Sequence, residues 1–108
     1  MEAPVDLANL RDMIDGDKEM EKALFEEFFS SFEAGIAALQ SSSGDAEAWR
    51  KEAHALKGVA LNLGAQTLGE LCKNAQEAQH DPEKTKAAMV ATIRAEYEQV
   101  KTFLQGLC

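Results

Sequence analysis

Apolar residues recur every three to four positions through most of this chain, which is the spacing of amphipathic helices. Leu7, Leu10 and Ile14 place a short helix from about Asp6 to Asp15, stopped by Gly16. A longer one starts near Asp17 and carries Met20, Leu24, Phe28, Phe32, Ile36 and Leu39, with Phe25 and Phe29 widening the stripe, until Ser41-Ser42-Ser43-Gly44 breaks it. The third runs from about Asp45 to Leu63 on a stripe of Trp49, Ala53, Leu56, Ala60 and Leu63, and Gly64 ends it. Gln66 to about Gln79 forms a fourth, with Leu68, Leu71, Cys72 and Ala75 apolar. Asp81-Pro82 reads as an N-cap and a first-turn proline for the last helix, whose Ala88, Ile93, Tyr97, Val100 and Leu104 reach almost to the end. Four long amphipathic helices with short links predict an all-α fold, an antiparallel four-helix bundle with a short additional N-terminal helix covering one end. No repeat or linker divides it, so residues 1–108 read as a single domain. The aromatic side chains of the second helix read as core, with part of that apolar surface left for a partner.

Composition narrows the function. The chain is 45% hydrophobic and 28% charged with only two prolines, a helical profile. Nineteen acidic against eleven basic side chains give a net charge of -8, which disfavours nucleic acid, since that ligand needs a basic face. No apolar run approaches the roughly 20 residues of a membrane span, and the start Met1-Glu2-Ala3-Pro4 lacks the basic region of a signal peptide, so the expectation is a cytoplasmic protein. Two cysteines make no disulfide framework. Cys72 reads as a small buried hydrophobe and Cys108 as a frayed end. His54, His80, Cys72 and Cys108 show no metal-ligand spacing, and His80, ahead of Asp81-Pro82, reads as a solvated turn residue; no metal site is expected. The phosphate-binding patterns G-x-x-x-x-G-K-[ST] and G-x-G-x-x-G are both missing, so the chain is expected neither to bind ATP nor to be a kinase. With no leftover heptad seam, a monomer is expected.

The third helix holds the candidate chemistry. At about 100° per residue, His54 points about 160° away from Leu56, towards water. Arg50 and Lys51 lie one turn before it, and Lys57 and Gly58 one turn after, so three basic side chains surround the imidazole in an otherwise acidic chain. Glycine inside a helix costs about 1 kcal/mol relative to alanine. Its placement on the same outward face suggests close approach by something else. Leu61, a turn further on, adds an apolar side chain of the kind found at docking surfaces.

His54-Ala55-Leu56-Lys57-Gly58, then Asn62-Leu63-Gly64-Ala65, then Leu68, Leu71 and Cys72, resembles the pattern of the histidine-containing phosphotransfer (HPt) domain. The close match spans His54 to about Glu77, and the flanking helices agree in length and order. The resemblance implies that His54 accepts and donates a phosphoryl group, that Lys57 lies beside that group, and that Gly58 lets the receiver domain of a response regulator come close. Gln76 falls where some members place a polar side chain near the phosphohistidine. Leu61 departs from the small or polar residue many members carry, which bears on partner choice. Partners implied are response-regulator receiver domains and a hybrid sensor histidine kinase. No cofactor of its own is implied, because the receiver supplies the aspartate and Mg²⁺.

The chemistry agrees with the residues. Imidazole has an ordinary pKa of about 6.5 and is a free nucleophile near neutral pH, so no general base is needed. The transferring group spreads negative charge over its oxygens, and a neighbouring cation such as Lys57 meets that need. Two other readings compete. A helical docking bundle that transfers nothing explains the helices but not why histidine, lysine and an interior glycine share one outward face. A cofactor-binding bundle with His54 as axial ligand requires the histidine to point inward.

Overall fold

The computed structural model describes residues 3–107, and Cys108, expected to be a frayed end, lies outside them. Its helices are α1 (Ala8–Met13), α2 (Lys18–Ser41), α3 (Ala46–Leu63), α4 (Gln66–Glu77) and α5 (Glu83–Gln105). Among the described residues there is no strand, and the fold is all-helical as expected. α2 packs on α3 and α5, and α4 packs on the same two, so the four long helices close a ring around one core.

Local signals explain most of the boundaries. Asp17 caps α2 by accepting from the backbone N–H of Glu19 and Met20, and Asp45 caps α3 by accepting from Ala48. At the other end of α3 the chain turns through Gly64 at φ +98°, with Gly64 N–H donating to Leu61 and Ala65 N–H to Ala60. Only glycine suits this position, for a second reason as well: the backbone oxygen of Asp6 occupies the place of a Cβ. Asp6 N–H in turn donates to the Gly64 carbonyl at 3.0 Å, which anchors the N-terminal segment across the α3–α4 turn.

That segment has a clear purpose. α2 and α5 are 24 and 23 residues long, about 35 Å each, whereas α4 has 12 residues and spans about 18 Å. The shorter α3–α4 pair leaves part of the long pair uncovered. Buried Val5 and Leu7 join the core there, and Arg11 of α1 donates to Glu21 of α2 at 2.7 Å. α1 therefore closes one end of the bundle, although it is shorter than the expected Asp6 to Asp15, because Leu7 is its N-cap and the chain turns out of the helix through Asp15 and Gly16, both at positive φ.

Two further expectations are corrected. On α2 the buried stripe is Glu21, Phe25, Phe28, Phe32, Ile36 and Leu39, while Met20 is 50% exposed and Leu24 half-buried. The apolar arc of α2 is wide enough to be centred in either direction, and packing on α3 and α5 selected the Phe25 side. α5 begins with Pro82, not Asp81, as its N-cap, and no side chain caps it. Lys86 compensates. It lies on the α5 stripe with Val90, Ile93, Tyr97, Val100 and Leu104, is 3% exposed, and its Nζ donates to the carbonyls of Gln79 (2.7 Å) and Ser43 (3.3 Å) while sitting 5.1 Å from the centre of the Trp49 ring. One buried cation thus ties both loops at this end to the core.

The aromatic side chains of α2 are core, as expected. Phe32 stacks on Tyr97 with ring centres 5.1 Å apart, Phe28 packs against both, and Phe29 is partly buried beside them. Tyr97 also donates to the Glu33 carboxylate, which Lys101 approaches at 2.9 Å, and so ties α5 to α2.

Candidate functional site

The apolar stripe of α3 is buried as its periodicity requires: Trp49, Ala53 and Ala60 are fully covered, Leu56 and Leu63 nearly so. Trp49 Nε1 donates to the Ala75 carbonyl at 2.6 Å, which fixes the rotation of α3 against α4. With that face locked inward, His54 is held outward. It is exposed, and among the described residues neither His54 nor Lys57 takes part in a hydrogen bond or ion pair. A ring in that position has its nitrogens free for an external electrophile, whereas an inward axial ligand is ruled out by the burial pattern.

Gly58, one turn on, is the informative glycine. A Cβ built there meets nothing within 4 Å, so no neighbouring helix of this chain requires glycine at this site. Two others differ. Gly35 of α2 receives Leu56, and Gly69 of α4 receives Leu61, each where a Cβ would collide with the leucine. These are interhelical contacts, and they distinguish packing glycines from the open one beside His54.

Leu61 is 41% exposed and on the His54 face, about 10 Å further along the helix, but it leans over Gly69 and is spent partly on α3–α4 packing. It also borders a groove of about 860 Å³ between the N-terminal segment, the start of α4 and Phe103. Gln76 stands on α4. The Trp49–Ala75 and Leu61–Gly69 contacts set an antiparallel register that brings Gln76 within about a turn of the level of His54. It is half-buried, its Oε1 is enclosed without a hydrogen-bond partner, and no hydrogen bond joins it to His54 among the described residues.

The basic surround is less uniform than its sequence suggests. Arg50 Nη2 lies 2.8 Å from Glu47 Oε1, and Lys51 Nζ 3.9 Å from the same oxygen. The Arg50 hydrogen bond and charge hold the Glu47 carboxyl below the usual carboxylate range, and Glu47 raises the Arg50 guanidinium in return. Among the described residues, Lys57 is left as the member of this trio without a carboxylate partner. Glu47 went unremarked in the sequence, although its i,i+3 and i,i+4 spacing to Arg50 and Lys51 is a readable ion-pair signal. Cys72 is buried in α4, where lack of solvation pushes its thiol up to about 12, so it behaves as the small hydrophobe expected.

Comparison with known proteins agrees with this geometry. The family model described as the Hpt domain matches residues 1–103. The chain belongs to the Hpt domain family, the phosphotransfer-type domains that interact with receiver domains in phosphorelays. No curated protein and no solved structure matched the chain in the same comparison. Among the described residues, no helix is long and apolar enough to cross a membrane.

Proposed function

We propose that this protein carries a phosphoryl group on His54 between receiver-domain aspartates, from a hybrid sensor histidine kinase to a response regulator, as a cytoplasmic monomer. The observation that carries the reading is an exposed imidazole, unpartnered among the described residues, fixed beside a glycine around which there is open space. In the forward step the lone-pair nitrogen of His54 attacks phosphorus, an N–P bond forms, the acyl-phosphate P–O bond breaks, and the donor aspartate leaves as a carboxylate. The proton on the other ring nitrogen stays there or passes to water. Handing on to the second aspartate is the reverse displacement. Lys57, one turn away and without a carboxylate partner among the described residues, offsets charge on the transferring oxygens, and its contribution grows when a docked partner excludes water. Gly58 admits the partner's backbone. Mg²⁺ and the reacting carboxylate come from the receiver, and Gln76 and Leu61 border the contact surface.

Incubation with a phosphorylated receiver domain tests the reading. Label that is acid-labile, base-stable and absent from His54→Gln is expected. Absence of such label from the wild-type chain, with receiver binding retained, would establish the docking bundle instead.

A further inference from the structure

We propose that Arg50 is a second phosphoryl-binding cation for His54, held by Glu47 in the resting protein and transferred to the phosphoryl group once the histidine is modified. The inference rests on the phosphohistidine reading above. Side chains on a helix lean towards its N-terminus, so the His54 ring overlies the turn containing Arg50 and Lys51, just as Lys57 leans back over the turn containing His54. A phosphoryl group on His54 is then flanked by Lys57 on one side and by the 50–51 turn on the other. In the resting protein the Arg50 guanidinium is engaged one turn further back, 2.8 Å from Glu47.

Three observations make the exchange favourable. The Arg50–Glu47 pair is exposed, with side-chain accessibilities of 36% and 62%, and pairs in such water-rich settings are weak. The competing anion is stronger, because a phosphoryl group carries roughly -1.5 to -2 charge and presents oxygens that match the guanidinium fork, against a single carboxylate charge. Glu47 is also not stranded when Arg50 leaves, since Lys51 already stands 3.9 Å from the same carboxylate oxygen. Glu47 therefore keeps Arg50 from the unmodified histidine without holding it against phosphate. Lys51 serves as the replacement counter-ion.

Phosphoramidate, a small phosphoryl donor that needs no partner protein, provides the probe. In wild-type protein labelled on arginine nitrogen, phosphorylation of His54 is expected to shift the Arg50 Nε–H resonance, and no shift is expected in His54→Gln. Arg50→Gln should slow His54 phosphorylation about two- to five-fold at low salt, Glu47→Gln should speed it by a similar factor, and Arg50→Lys should recover part of the loss. The Glu47→Gln gain should vanish in the Arg50→Gln background, which a general effect of charge on helix stability would not produce. If His54 is labelled but the Arg50 resonance stays in place and both variants react at the wild-type rate, the inference falls while the carrier reading stands. If wild-type protein takes no label, the carrier reading itself fails.

Discussion

Replacing three glycines one at a time with alanine separates space from propensity. All three lie inside helices, so each change carries the same gain of about 1 kcal/mol from removing glycine's excess backbone freedom. They differ in what the new methyl meets. At Gly58 it meets nothing within 4 Å, so the full gain is expected, raising the thermal midpoint of a chain this size by about 4 °C. At Gly69 it meets Leu61, which is 41% exposed and free to turn towards solvent, so the gain and the repacking should nearly cancel. At Gly35 it meets Leu56, which is 2% exposed and enclosed; overpacking of about 1–3 kcal/mol cancels or outweighs the gain and leaves a net loss of up to about 2 kcal/mol. Urea unfolding followed by circular dichroism reads all three, with stability expected in the order Gly58→Ala, Gly69→Ala, Gly35→Ala. A destabilised Gly58→Ala, or a Gly35→Ala as stabilised as Gly58→Ala, would refute the reasoning. Gly58→Tyr extends the test to function: it should fold normally and accept phosphate from phosphoramidate, yet lose at least about ten-fold in rate with a receiver domain, because only the large donor needs the open backbone.

Two further outcomes follow from the buried and paired polar groups. Lys86→Met keeps the apolar stem but leaves the Gln79 and Ser43 carbonyls without their donor, and should cost about 1–3 kcal/mol, with faster amide exchange in the loops at 42–45 and 78–82 as the readout. Glu33 is held below the usual carboxylate range, first by the hydrogen bond from Tyr97 and then by Lys101, so its contribution to stability is present above its ordinary value of 4.5 and is lost as pH falls through the lower folded value. Thermal midpoints measured from pH 6 downwards should decline less steeply in that acid window for Glu33→Gln than for the wild type.

What could be read from the chain follows the range of the forces involved. α3 was legible almost residue for residue because its cap at Asp45, its stop at Gly64 and its five-residue stripe are local features set within a few turns. His54 was readable as outward-facing on the same basis, since a buried stripe fixes the opposite face. α2 was harder: its apolar arc is too broad for periodicity alone to decide between Met20 and Phe25, and the choice belongs to the neighbouring helices. Lys86 illustrates a related limit. Read from the sequence, the α5 stripe begins at Ala88, which is exposed, and passes over Lys86; the two carbonyls and the indole that make a buried lysine tolerable come from three separate segments.

The amino-acid order by itself determined where the long helices lie, which face of α3 turns to water and which side chains that face presents, because helix periodicity and capping act over distances of a few residues. The tertiary structure alone distinguished Gly35 and Gly69, each filled by a leucine of α3, from Gly58, and decided that Leu61 is shared between surface and packing. Those distinctions depend on what another helix or side chain places within a few ångströms, and no spacing along one chain encodes that directly.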